Sequence, residues 1–396
     1  MNACGRPTTV FQADPAATYA SISRKFLEKA SILAGKRRGI DFRISAVYNA
    51  NVRPYYRRIA MKHFFCVAFI LFSVVGFLQA EEPRFIELKG HTGEEVSALM
   101  YDSVDYIVFS PDGKKIVTSG DDKTTRIWDA ETGKELKRLD GHSTKMAFSP
   151  DGKKLFVSNR IHDVESGKEL QRFEQFRTAV SSDRRTVEKS IYALSSDGKK
   201  IVYYDRNNRR LTCIFDLESG RELQTIEPIG WYMCFSPDGT KIAIWGFIDD
   251  TQKIRSVQIR DTESGKELRR LKCDVGEIRS IVFSPDGKKI VLAGGNLGAY
   301  GTIQILDVDS GMELLKWVSK SRCIIYSAAF SPDGKTIAVG DWLVRLFDIE
   351  TGKELQYLCL EETSFTHLHS IAFSPDGKKL AVAGDECFAG VWVLEE

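Results

Sequence analysis

Apolar and polar residues alternate along most of this chain in short runs, and one polar turn cuts the runs at regular intervals. Val104 to Phe109 is β-branched and aromatic, Ser110-Pro-Asp-Gly113 breaks it, and Lys114 to Ser119 resumes the alternation. Two such runs flanking a tight turn predict a β-hairpin. Proline presets φ at the second turn position, and glycine takes the left-handed conformation that closes the turn. Thr124 to Asp129 is a third run, Glu131-Thr-Gly133 a second turn, and Lys134 to Leu139 a fourth run. Four short strands, termed A to D, make one unit.

The unit recurs. Near-copies of Phe109-Ser-Pro-Asp-Gly-Lys-Lys115 begin at Phe148, Leu194, Phe235, Phe283, Phe330 and Phe373. Their Asp-Gly steps begin at 112, 151, 197, 238, 286, 333 and 376, so they lie 39 to 48 residues apart. A period of this size belongs to repeat architectures. The C–D turn recurs too, from Asp163…Glu165-Ser-Gly-Lys-Glu-Leu170 to Asp348…Glu350-Thr-Gly-Lys-Glu-Leu355. There are seven A–B turns but six C–D turns, and the last repeat runs out at Val391-Trp-Val-Leu394. Arg84 to His91 resembles the D strand that is missing, matching Leu136 to His142 of the first repeat. The pattern predicts an all-β ring of seven four-stranded antiparallel blades over residues 84–396, closed by an N-terminal strand that completes the last blade. Closure removes the frayed edge of an open stack.

On these residues the chain resembles the WD-repeat β-propellers, as an exported, bacterial-type member. The best match is the first repeat, with Gly90-His91 at its start and Ile127-Trp128-Asp129 ending strand C. The resemblance implies a hydrogen-bonded tetrad in blade one from His91, Ser119 or its neighbour Thr118, Asp122 and Trp128. Strand C ends instead in Phe215-Asp216, Arg260-Asp261, Leu306-Asp307 and Phe347-Asp348 elsewhere, so the tetrad is expected in blade one alone. The resemblance also implies a non-catalytic scaffold that docks a protein or peptide.

The copies differ unequally along their length. From the A–B glycine to the C–D glycine the gap runs from 15 to 26 residues, and from there to the next A–B glycine from 19 to 31. The variation therefore falls in the B–C and D–A loops, which up-and-down connectivity places on one face. Binding residues tend to sit on variable loops carried by a rigid scaffold. Candidate partner-binding residues there are Arg184, Arg185, Trp231, Tyr232, Tyr300 and Trp342, since aromatics and arginines are frequent anchors. The bland alternative packs the tryptophans against neighbouring blades and leaves the arginines solvated.

Charge sharpens this picture. Residues 1–80 hold 12 Lys+Arg and 3 Asp+Glu, whereas residues 81–396 hold 44 and 51. The repeat region is mildly acidic, which argues against nucleic acid, because phosphate neutralisation needs clustered cations. The Lys-Lys pairs after most A–B turns read as a solvated face balanced by nearby Glu. No nucleophile elbow, P-loop or dinucleotide fingerprint occurs, so neither an enzyme nor a cofactor is predicted. His367 and His369 lie on one face of a strand, yet spacing supplies no third or fourth ligand, so they are weak metal candidates and no metal is assigned. Six cysteines follow Ala80, at 213, 234, 273, 323, 359 and 387, and none reads as catalytic. A propeller enzyme, or a small-ligand or metal binder with a site over the channel, is the alternative.

Residues 1–60 read as an unstructured basic stretch ahead of a translation start at Met61. Residues 61–80 look like a secretory signal, with Lys62 and His63 before an apolar run of 15 residues from Phe64 to Leu78. That run is short for a membrane helix, which needs roughly 20. Export to a periplasm or medium after cleavage near Ala80 is expected. If the 64–78 segment is left uncleaved, the domain is tethered to a membrane instead.

Overall fold

The computed structural model describes residues 83–92, 103–143, 145–173, 192–205, 211–226, 230–247, 255–296, 300–319, 323–358 and 367–394. The chain divides after Glu81, and the predicted 1–60 stretch and the signal-like segment at 61–80 lie outside the described residues. Among those residues every regular element is a strand, and no helix is long and apolar enough to cross a membrane.

Twenty-eight strands form seven four-stranded antiparallel sheets. Blade one is β2 (Val104–Phe109), β3 (Lys115–Gly120), β4 (Thr124–Asp129) and β5 (Glu135–Asp140). Blades two to six follow in the same order, from β6 (Met146–Phe148) to β25 (Glu354–Leu358). Blade seven takes β26 (Leu368–Phe373), β27 (Lys379–Gly384) and β28 (Ala389–Val393), and its outer strand is β1 (Phe85–Glu87). The ring closes through its N-terminal strand, as the strand count predicted.

The repeated residues are turn chemistry. In the first A–B turn Ser110 Oγ donates to Asp112 Oδ1 at 2.6 Å, and the same oxygen accepts the Lys114 amide at 3.0 Å. Ser110 Oγ in turn accepts the Lys115 amide at 2.8 Å, and Gly113 sits at φ 69°. The Ser110 hydroxyl and the Lys114 amide hold the Asp112 carboxyl below its usual range. The aspartate that ends strand C does the same for the next turn. Asp129 Oδ1 accepts the Thr132 hydroxyl at 2.6 Å and its amide at 2.8 Å. These turn aspartates are thus consumed as local caps.

Neighbouring blades are stitched at three levels. At the A–B turns, a Cβ added to Gly113 would lie 3.4 Å from Pro375 Cδ, and one added to Gly152 would lie 3.6 Å from Pro111 Cδ. Six of the seven turns sit in this way beside the preceding blade's proline, and Gly239 alone faces Ser195. Along the inner strands, hydroxyls accept amides across blades. Ser280 takes that of Ala328 at 3.3 Å, Ser327 that of Ile371 at 3.1 Å, and Ser370 that of Ile107 at 3.2 Å. These bonds satisfy donors on the unpaired inner edges. Between the sheets lies the apolar core. One cluster joins Ile86, Leu88, Phe109, Ile116 and Trp128 to Ala381, Ala383 and Val391, spanning blades seven and one.

The second lysine of the Lys-Lys pairs corrects the solvated-face reading. Lys379 Nζ reaches Ala130 O at 3.2 Å and Glu131 Oε2 at 2.5 Å in the next blade. Lys200 Nζ reaches Thr262 Oγ1 at 3.0 Å, and Lys241, which follows Thr240 but holds the same strand position, reaches Asp309 at 3.2 Å. A strand's first residue sits at the blade seam, so a long cation there spans it.

Closure rests on an aromatic clamp. Phe85 has its ring centroid 4.7 Å from that of Trp392 and 5.8 Å from that of Phe388. Its ring covers Gly390, where an added Cβ would fall 2.1 Å from Phe85 Cζ. Phe85→Ala should lower stability by about 2–3 kcal/mol in chemical denaturation, a little below the cost of truncating a fully buried phenylalanine. A loss within the error of that measurement would show that the clamp does not hold the ring shut.

Candidate functional site

Blade one carries a buried polar relay. Trp128 Nε1 donates to Thr118 Oγ1 at 2.7 Å, and that oxygen lies 2.7 Å from His91 Nε2. His91 Nδ1 is 3.0 Å from both oxygens of Asp122. These distances fit an imidazole whose Nδ1–H donates to Asp122 while Nε2 bonds to Thr118. Burial opposes the Asp122 charge, but hydrogen bonds from His91 and Thr124 hold its carboxyl well below the usual range. Arg126 adds a cation, 3.2 Å from Asp122 and 2.6 Å from Glu135. The hydroxyl in the relay is that of Thr118, which corrects the choice of Ser119. Ser119 lies on the other face of β3, where it accepts the Ser143 amide at 2.8 Å and the Thr125 hydroxyl at 3.3 Å. The relay's side chains are sealed from solvent, so its role is to stiffen the blade.

Blade two shows what happens without the threonine. His162, in β8 (Arg160–Asp163), occupies the position of Trp128, and register puts Val157 where Thr118 stands. His162 Nε2 is buried without a hydrogen-bond partner, and burial pushes its pKa down.

The mouth of the channel on the B–C/D–A face is built differently. In four inner strands the pairing slips by one residue near this end, leaving one residue bulged. Those residues are Asp105 in β2, Trp231 in β14 (Gly230–Phe235), Arg279 in β18 (Ile278–Phe283) and His369 in β26. Bulges re-aim side chains and gather near binding sites. Three of these strands thus carry an acid, a guanidinium and an imidazole at the bulged position.

Around this rim lie two groups of titratable residues, joined by a β-bridge between Ser103 and Asp385. In one group Asp385 accepts from His367 Nδ1 at 2.8 Å and His369 Nε2 at 2.6 Å. Burial works against the Asp385 charge, but these imidazoles hold its carboxyl well below the usual range. Tyr326 stands edge-on to both histidines, with centroids 5.1 and 5.8 Å away. Burial pushes the Tyr326 hydroxyl up, with Arg279 opposing and Asp385 reinforcing the shift. The turn after Asp385 is strained, since Glu386 and Cys387 both sit at φ 57°. In the other group His142 Nε2 is 2.8 Å from Asp105 and 3.9 Å from Asp121, and Ser103 Oγ donates to both aspartates. Asp105, Asp121 and His142 form the described His/Asp group whose ligand atoms come close enough together to hold an ion. His367 and His369 instead turn those nitrogens to Asp385.

The other predicted residues scatter. Tyr232 is half-buried, its ring 6.0 Å from that of Trp245. Tyr300 is exposed on blade five, and Trp342 is 37% exposed with its ring 6.4 Å from that of His367. Arg184, Arg185 and the side chain of Trp231 lie outside the described residues. Asp385 and Tyr326 were not singled out from the sequence. Deeper in, Lys145 Nζ lies 5.0 Å over the Tyr106 ring, whose hydroxyl is pushed up to about 12 by burial and Cys234. Burial also raises the Cys234 and Cys273 thiols, which keeps them protonated and poor nucleophiles.

A family profile described as "WD domain, G-beta repeat" matches residues 83–129, 315–348 and 359–392. The first match runs from the closing strand through A, B and C of blade one, a repeat offset by one strand from the blade. The chain is 23% identical over 265 residues to the Periodic tryptophan protein 2 homolog of Dictyostelium discoideum, covering 59% of this chain and 27% of that protein. It is 35% identical over 82 residues to THO complex subunit 3 of Arabidopsis thaliana, covering 20% and 23%. It is 29% identical over 150 residues to the U3 small nucleolar RNA-associated protein 4 homolog of Mus musculus, covering 35% and 21%. The alignments thus span about a quarter of these relatives' lengths.

Two measurements check the polar positions. Thr118→Val should cost about 1–3 kcal/mol in chemical denaturation, because it strands the His91 and Trp128 nitrogens in the core. An unchanged midpoint would remove the relay's stiffening role. For His162 the folded pKa lies below the unfolded 6.5, so its contribution is complete above pH 6.5 and is lost as pH falls below it. His162→Phe should flatten stability against pH in that window, and an equal slope in the variant would contradict the assignment.

Proposed function

Since the chain carries WD40 repeats on a seven-bladed β-propeller, we propose that it is a non-catalytic, exported scaffold that docks a protein or peptide across its B–C/D–A face. Docking centres on the channel mouth. The observation that carries this reading is the set of inner-strand bulges, which place chemically different side chains, Asp105, Arg279 and His369 among them, on otherwise repeated strands. The A–B/C–D face repeats the same chemistry from blade to blade, since the aspartates that begin its turns are spent within those turns. Two of the relatives are named for the assemblies they belong to or associate with. Export rests on the signal-like segment at 61–80.

The alternative, a metal- or small-ligand-binding propeller, has Asp105, Asp121 and His142 in its favour. Those groups already bond to one another through His142 and Ser103, which supports the scaffold reading instead.

The test is affinity capture from the exported fraction with paired variants. Arg279→Ala with Tyr326→Ala should abolish capture, whereas Lys114→Ala with Lys288→Ala on the opposite face should leave it intact. The reverse pattern would overturn the choice of face, and a mature chain retaining residues 61–80 would overturn cleavage. Stoichiometric metal in the purified protein would favour the alternative.

A further inference from the structure

Each blade ends in an outer strand with an unpaired edge, and six of these edges follow one plan. They are β5, β9 (Glu169–Arg172), β13 (Glu222–Ile226), β17 (Glu267–Leu271), β21 (Glu313–Val318) and β25. Each opens Glu-Leu, and in each the leucine is a bulge residue left out of the pairing, as where Trp128 opposes Glu135 and Ile127 opposes Lys137. The residue before the glutamate is basic in five of them, Lys134, Lys168, Arg221, Lys266 and Lys353. Bulges and edge cations are the devices that keep exposed strands from pairing with another chain.

Blade five lacks the cation. Met312 stands in its place and is 66% exposed, and Leu314 and Val318 are each 49% exposed along the same strand. The remaining charges on this edge are exposed, and each has a partner within its own chain. Lys316 Nζ lies 3.5 Å from Asp274, and Glu313 accepts Gln304 Nε2 at 2.7 Å. Ser319 donates its amide to Gly301 O at 2.8 Å. By alternation Lys316 and Val318 turn their N–H and C=O groups outward. Among the described residues nothing pairs with this edge.

We infer that the outer edge of β21 is where a second copy of this chain docks, β21 against β21, antiparallel about a two-fold axis. Centred on Lys316, this pairing sets Leu314 of one copy opposite Val318 of the other, apolar against apolar. Each Lys316 is drawn to its own Asp274, which relieves the meeting of like charges at the centre. The contact is isologous and closes at two, as a two-fold interface requires, and main-chain bonds supply its register. A basic-guarded edge placed on the same axis would bring unpaired cations to the rim, which singles out blade five.

Sedimentation equilibrium of the full chain over a wide concentration range tests this. Wild type should show a concentration-dependent monomer–dimer equilibrium. Val318→Lys should weaken it at least about tenfold, while Leu136→Lys, an apolar-to-lysine change on the outer edge of β5, should leave it unchanged. Thermal melts followed by circular dichroism confirm that both variants are folded. A monomer at every concentration, a dimer equally tight in Val318→Lys, or equal weakening by both changes would each overturn the proposal. A monomer that instead captures a foreign extended peptide through this edge would overturn the second copy as occupant.

Discussion

The ring depends on one small contact, the seating of an A–B turn glycine on the preceding blade's turn proline. A blade is a twisted four-stranded sheet that cannot bury both faces alone, so each needs a neighbour at a set distance and angle. Repeating one contact around the ring imposes equal steps, and the Gly113–Pro375 contact carries the series across the closure. Glycine meets the demand there for a left-handed φ, while the proline sits at ordinary contact distance from where a Cβ would stand. Blade three tests the rule from within, because Ser196 replaces the proline. Gly239 then meets Ser195, and Ser196 Oγ bonds to Pro237 O. A hydrogen bond takes over where the ring contact is lost.

That uniformity confines function. Turn residues that must repeat to keep the blades in step cannot also specify a partner, and their carboxylates are already bonded to adjacent hydroxyls and amides. Individuality is possible only where blades are free to differ. At the channel mouth a single-residue slip re-aims a side chain without disturbing the sheet behind it. The left-handed pair Glu386 and Cys387 beside Asp385 fits the same logic, since local strain persists where surrounding bonds over-determine the turn. Here the two imidazoles and the bridge to Ser103 do so.

How much of this could be read beforehand follows from the range of each signal. Blade count, both turns and the closing strand are written in a period that needs only local residues. The relay's hydroxyl was within reach of the same logic. Trp128 opposes Ile116, and strand alternation places Thr118 on that face and Ser119 on the other. The mouth was not within reach. A bulge adds one residue to a run that still reads as a strand, so Asp105 and His369 carry no mark. The meeting of Asp385 with His367 and His369 depends on how the blade-seven hairpin pairs. The seam-spanning lysines likewise look like any surface pair until the neighbouring blade is in place.

The two outer strands that break the common plan break it differently. The closing strand β1 has neither bulge nor Glu-Leu start, and the ring itself explains this. Its pairing with β28 must run in register so that Phe85 lies flat over Gly390 between Trp392 and Phe388. A bulge there would swing the ring off the glycine and open the clamp. Blade five keeps the bulge and changes only what solvent sees, a methionine for a cation and a valine at the strand's end. Neither side chain is buried, and the core beneath uses Leu315 and Trp317 from the strand's other face. Packing within the ring accounts for the first departure and leaves the second without an internal use. An edge that gives up its guarding cation with no gain to its own fold is shaped by something outside it.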